Sequence, residues 1–186
     1  MAIFLYLIAA YFIGNFITGY FVIKLLGKKD IRAEGSGNPG ARNAGRIHGK
    51  MAFVLTFLGD ALKAALAVLA GRYLEFSANI LLLGLAAVLI GHIKPVLFKF
   101  RGGMGIWPFI GGMLAFQPVT ALVLIGGFGL FYPFTKSFTM AGLGAFIMIP
   151  VVFYFRRPSG SGNSSYDHAD YDHFSSTYRG YKGEAL

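Results

Sequence analysis

Gly102–Thr135 reads GGMGIWPFIGGMLAFQPVTALVLIGGFGLFYPFT, 34 residues without a formal charge. A bilayer-crossing helix needs about 20 apolar residues, so this run exceeds one span but cannot hold two spans and a turn. Gly111-Gly112 and Gln117-Pro118 interrupt it. It therefore reads as a short or re-entrant helix from Ile106 to Phe116, followed by a crossing helix from Val119 to Phe134. Residues 137–155 are again uncharged and supply a last span.

Three further spans precede it: Ile3–Leu25, Met51–Ala70 and Asn79–Ile90. Residues 1–23 carry no charge and lack a basic leader, so the first span does not read as a cleaved signal. Asn15 lies within it, and because an amide is costly in lipid it is expected to face another helix. Asp60 and Lys63 interrupt the second span three residues apart, on one helix face, where they can pair and should point into the bundle. The fold class is thus all-α, a polytopic membrane bundle with five net crossings plus a short or re-entrant helix.

Composition agrees. The chain is 55% hydrophobic and only 13% charged, far below the quarter typical of soluble domains. There is no cysteine, which excludes structural disulfides and thiolate metal sites. The net charge of +9 does not point to nucleic acid, because the cations sit beside membrane spans. Lys28, Lys29, Arg32, Arg42, Arg46 and Lys50 occupy one loop, Lys94, Lys99 and Arg101 another, and Arg156 and Arg157 the exit. The opposite loops hold only Arg72 and Lys136. The positive-inside rule places both basic loops and the C-terminus in the cytosol. Beyond a membrane domain of 1–157, residues 158–186 are rich in Gly, Ser and Tyr, which predicts a disordered cytosolic tail. His168 and His173 beside aspartates could ligate a metal, but a solvated tail is the plainer reading.

Both basic loops are also rich in glycine. The first contains Gly35-Ser-Gly-Asn-Pro-Gly-Ala-Arg-Asn-Ala-Gly-Arg46, the second Gly91-His92 and Gly102-Gly-Met-Gly105. Glycine lets backbone N–H groups turn onto a ligand, and with cations nearby that is a way to hold phosphate. Ser36 can donate a hydroxyl hydrogen bond, Gly37 and Gly40 can offer amides, and Arg46 a bidentate fork. Gly102, Gly103 and Gly105 can form a nest just before a helix, and His92 is the group there that titrates near neutrality. A single such loop reads as a tight helix-capping turn; two on one membrane face favour an anion site.

Gly35-Ser-Gly-Asn-Pro-Gly-Ala-x-Asn43 with Arg46 and Gly49-Lys50, then Asp60 and Lys63, then Gly91-His92-x-x-Pro95 and Phe100-Arg-Gly-Gly-x-Gly105, resembles the acyl-phosphate:glycerol-3-phosphate acyltransferase family of the PlsY type, over about residues 1–155. The resemblance implies a bacterial inner-membrane enzyme. It would transfer an acyl group from acyl phosphate to the sn-1 hydroxyl of glycerol 3-phosphate, giving lysophosphatidic acid, without metal, cofactor or coenzyme A. A partner enzyme would produce the acyl phosphate. By position it implies Ser36 and Arg46 as phosphate ligands, with Asn38, Gly40 and Asn43 shaping their loop. His92, Gly102, Gly103 and Gly105 would form a second wall, with Asp60 and Lys63 in support. No protein base is assigned.

Three departures stand out. Met104 replaces the family's lysine in Gly-Gly-Lys-Gly, and a thioether cannot replace an ammonium against phosphate. Arg42 stands where the family has Thr, beside the same pocket, and could supply the missing charge. The family's third motif, an Arg-His-Arg-x-x-Asn-type cluster after the last span, has only Arg156-Arg157 here. The alternatives to an enzyme are a non-catalytic relative that binds phosphate or lysophospholipid or partners an active enzyme, and a small transporter. For the last, Asn15, Asp60 and Lys63 are too few polar residues to line a path.

Overall fold

Large apolar side chains on the outside and small or polar ones inside govern the packing. In the computed structural model, which describes residues 1–27 and 30–155, Leu55, Leu58, Leu62, Leu66 and Leu69 are exposed on the second span while Ala52, Thr56, Asp60, Lys63, Ala64 and Ala67 are buried. Those buried positions recur every three or four residues, one stripe of a helix. In lipid, helices gain nothing by hiding leucine, so close contact comes from small residues and internal polar bonds.

The described elements are α1 (Ala2–Asn15), α2 (Thr18–Gly27), α3 (Ala41–Tyr73), α4 (Ala78–Ile93), α5 (Ile106–Phe116), α6 (Pro118–Thr135) and α7 (Phe138–Phe155). Short 3-10 turns lie at Ile31–Ala33 and Val96–Phe98. Among the described residues, four segments are long and apolar enough to cross a membrane: Ala2–Gly27, Ala41–Tyr73, Ala78–Phe98 and Pro118–Thr135. The short helix expected at Ile106–Phe116 is α5, with the break at Gln117. Residues 1–149 form one compact unit; of the second, Pro150–Leu186, only the end of α7 is described. The domain boundary expected after residue 157 and the tail 158–186 lie outside the described residues.

The expected first span is present as Ala2–Gly27, with its helix interrupted at Phe16 (φ −71°, ψ 97°), which separates α1 from α2. The carbonyls of Gly14 and Phe16 instead accept hydrogen bonds from Lys63, at 3.3 and 2.6 Å, which satisfies backbone groups that lipid could not. One expectation needs correction: the end of the basic loop, from Ala41 to Lys50, lies within α3. α3 starts at Ala41 and kinks at His48–Gly49, where Gly49 takes φ +77°.

Helices α1 and α4 run parallel, with Tyr6 against Gly84 and Gly14 against Val88 and Gly91. A Cβ at Gly91 would overlap the Tyr11 carbonyl and come within 3.1 Å of Gly14 Cα. Tyr6 donates to the Ala67 carbonyl at 3.1 Å, tying α1 to α3. Gly111 lets α5 lie on Ala61 of α3, with Trp107 edge-on to Phe53 and tilted against Phe57. Gly91→Ala is therefore expected to overpack α1 against α4 at a cost of roughly 1–3 kcal/mol. Its thermal midpoint in detergent should fall by several degrees, while Gly126→Ala, with nothing within 4 Å, should not lower it.

Candidate functional site

The first glycine loop is shaped from within by one buried amide. Asn43, 3% exposed, accepts the Ser36 N–H through Oδ1 at 2.9 Å. Its Nδ2 donates to the carbonyls of Ile31 (3.3 Å) and Glu34 (3.0 Å). Gly35 and Gly37 take φ +59° and +72°, which lets the chain turn around this amide. Asn38 Oδ1 accepts the Gly40 N–H at 2.9 Å, and Gly40 caps α3 without a side-chain bond. Ser36, Arg42 and Arg46 are exposed.

Arg32 joins this loop to the second. Its guanidinium grips Asp30 with Nε at 3.0 Å and Nη2 at 2.6 Å from the two carboxylate oxygens. The same group sits 5.3 Å from the Tyr20 ring and 5.4 Å from that of Phe98, and Nη1 reaches the Phe98 carbonyl at 3.5 Å. The hydrogen bond from Arg32 holds the Asp30 carboxyl below its ordinary range, and the Asp30 bond raises Arg32. A depressed carboxylate contributes stability above its unfolded value and loses it as pH falls through the folded one. Protection of the Arg32 amide, which Asp30 Oδ1 caps at 2.9 Å, should thus be steady at neutral pH. Hydrogen exchange should show it declining only below the usual carboxylate range. The effect is small, because both groups are partly exposed.

The second loop is pinned from α1. Asn15 Oδ1 accepts the Leu97 N–H at 3.2 Å, and the Tyr11 hydroxyl accepts from Val96 N–H and donates to the Lys94 carbonyl. Asn15 is thus a packing contact across helices. Lys99 and Phe100 adopt φ of +53° and +60°, turning the chain back so that Phe100 N–H reaches the Pro95 carbonyl. Gly103 N–H then donates to the His92 carbonyl at 3.0 Å, and Gly105 (φ +82°) caps α5. Met104 is 67% exposed.

Behind this loop lies a buried polar cluster. Asp60 and Lys63 do pair inside the bundle, at 3.0 Å and with 1% and 7% exposure. His92, 2% exposed, is a third member that spacing alone did not reveal: its Nδ1 lies 2.8 Å from Lys63 Nζ. The expected wall residues therefore divide. Gly102, Gly103 and Gly105 form the turn, while His92 lies beneath it.

Two clefts open at this end. One of about 630 Å³ runs between the loops, lined by Tyr20, Asp30, Arg32, Phe98, Lys99 and Arg101. The other, about 440 Å³, sits in the elbow of the α3 kink, with Arg42 and Lys50 beside Phe53 and Val54. Ser36 and Arg46 line neither. Arg32, Lys99 and Arg101 were legible in the sequence only as charges that set orientation. The Asp30-x-Arg32 spacing just before the glycine run was the available signal for more.

These features define a polytopic helical membrane protein with two cationic, glycine-rich loops meeting at one end. The model of the family "Glycerol-3-phosphate acyltransferase" matches residues 4–169, and the chain belongs to that family. It is 57% identical over 123 residues to glycerol-3-phosphate acyltransferase 1 of Bacillus cereus, covering 66% of this chain and 68% of that protein. Identity to the corresponding Desulfitobacterium hafniense protein is 43% over 120 residues, 64% of this chain and 59% of the relative. The chain thus spans about two-thirds or less of the length of these relatives. Two crystal structures of PlsY (YgiH), an integral membrane glycerol 3-phosphate acyltransferase, superpose on it at 31% identity, covering 83% of this chain and 79% of theirs. The TM-score is 0.73 for the glycerol 3-phosphate form and 0.70 for the lysophosphatidic acid form.

Proposed function

We propose that the chain acylates the sn-1 hydroxyl of glycerol 3-phosphate, with acyl phosphate as donor, and yields lysophosphatidic acid and phosphate. The observation that carries this reading is the similarity to PlsY in both its glycerol 3-phosphate and lysophosphatidic acid forms. Acyl phosphate is a mixed anhydride, already activated. The protein's task is to hold two anions together and offset their repulsion. The glycerol oxygen bonds to the acyl carbon, the bond from that carbon to the phosphate oxygen breaks, and the hydroxyl proton passes to phosphate. Ser36 and Arg46, on the loop that Asn43, Asn38 and Gly40 shape, are assigned to one phosphate. The Gly102–Gly105 turn faces the other, and Arg42, at the rim of the apolar elbow cleft, is suited to a head group whose tail enters the bilayer. The site faces the cytosol of a bacterial inner membrane, as the distribution of Lys and Arg supports. An acyl-phosphate-producing enzyme must supply the donor.

Phosphate release from acyl phosphate by membranes containing the chain should require glycerol 3-phosphate. No turnover with retained ligand binding would select a non-catalytic relative. Restoring one charge-assisted phosphate contact is worth roughly 1.5–3 kcal/mol. Met104→Lys should accordingly raise kcat/KM about tenfold or more by the same arithmetic. An unchanged value would mean that Arg42 already supplies this charge or that the missing third motif is decisive.

A further inference from the structure

Lys63 Nζ lies among four acceptors: the Phe16 carbonyl at 2.6 Å, His92 Nδ1 at 2.8 Å, Asp60 Oδ1 at 3.0 Å and the Gly14 carbonyl at 3.3 Å. An ammonium has three N–H donors, one of them shared among these four neighbours, and no lone pair, so in its contact with Lys63 His92 Nδ1 must be the accepting partner. A neutral imidazole that accepts at Nδ1 carries its proton on Nε2. Asp60 does not compete for Nδ1, because at 3.8 Å its oxygen is beyond hydrogen-bond distance.

The other ring nitrogen faces the glycine turn. A Cβ built at Gly103 would collide with His92 Nε2 before any other atom. That nitrogen therefore lies directly against the Gly103 backbone, a close approach that any side chain at this position would prevent. The His92 carbonyl meanwhile accepts the Gly103 N–H at 3.0 Å, so backbone and ring of one residue both address this turn. Only the ring's orientation depends on Lys63.

We propose that Lys63 is a positioning residue that fixes His92 as its Nε2–H tautomer, so that the ring presents a neutral N–H donor at the Gly102–Gly103 turn to an oxygen of a bound phosphate group. The assignment of phosphate as ligand rests on the acyltransferase reading above; the tautomer does not. Buried Asp60 holds the ammonium from its other side, and the break between α1 and α2 provides its remaining acceptors. The four residues Asp60, Lys63, His92 and Gly103 thus form one relay from the bundle interior to the loop.

The tautomer is read by ring ¹⁵N NMR of the full chain in nanodiscs at neutral pH, with His92 assigned by its loss in His92→Gln. The expected spectrum has an unprotonated Nδ1 and a protonated Nε2. A protonated Nδ1, alone or with Nε2, overturns the proposal whether or not the chain turns over. In Lys63→Met the signal should change to a mixture of tautomers, and an unaltered Nε2–H form would remove Lys63 from its role. Glutamine places its amide nitrogen near Nε2, whereas asparagine places it near Nδ1. His92→Asn should therefore raise KM for glycerol 3-phosphate roughly tenfold above His92→Gln, the cost of a lost charge-assisted bond. Equal KM values for the two variants would contradict the donor assignment while leaving the acyltransferase reading intact. A chain that shows the expected tautomer yet never acylates glycerol 3-phosphate would overturn only the choice of ligand.

Discussion

Lys63→Met should destabilise the protein more than any other single change considered, by about 3–5 kcal/mol, the range for removing one partner of a buried ion pair. Asp60 is 1% exposed and would keep a charge with its ammonium gone. The Gly14 and Phe16 carbonyls at the α1–α2 break would also lose their donor, in a place where lipid offers no substitute. The double variant Asp60→Asn/Lys63→Met should recover much of the loss, because it removes the stranded charge. Trp107, the chain's single tryptophan, packs on Phe53 and Phe57 of α3 and reports the transition by fluorescence during denaturation in detergent. Equal midpoints for Lys63→Met and the parent would show that this cluster is not the bundle's internal tie.

The second large effect belongs to the first glycine loop. Asn43→Ala removes three hydrogen bonds at once and leaves the Ser36 N–H and two carbonyls to find new partners. Each buried group left unsatisfied costs about 1–3 kcal/mol, so local opening of residues 31–40 becomes cheap. Activity should fall about a hundredfold, since misplacing a positioned group by an ångström can cost that much. Asn43→Asp keeps an acceptor for Ser36 but sets carboxylate oxygen against the Ile31 and Glu34 carbonyls, and should be no better. Hydrogen exchange at residues 31–40 should rise in both variants, with the global midpoint much less affected. Unchanged exchange would mean that the loop holds its shape without this amide.

The membrane fold was readable because charge is nearly absent outside two loops and the exit. The break at Gln117-Pro118 and the short helix before it followed from a run too long for one span and too short for two. The inward direction of Asp60 and Lys63 followed from the cost of charge in lipid. Other features were hidden because they depend on contacts far apart in sequence. The interruption at Phe16 answers an ammonium 47 residues away. His92 joins Asp60 and Lys63 across 29 residues, and no local spacing announces such a meeting. Arg32 reads as one more orientation charge until Tyr20 and Phe98 are seen to flank it. The helix over Ala41–Ile47 was masked by glycine and asparagine, residues of low helix propensity that serve the loop.

Product analysis on the purified chain tests the central claim most directly. With acyl phosphate and glycerol 3-phosphate together, mass spectrometry should detect lysophosphatidic acid and an equal amount of released phosphate. Neither should form when one substrate is omitted, and both should fall steeply in Ser36→Ala and Arg46→Ala that retain the parent's thermal midpoint. Absence of acylated product, or undiminished product in those two well-folded variants, would contradict acyl transfer at the glycine-rich loops.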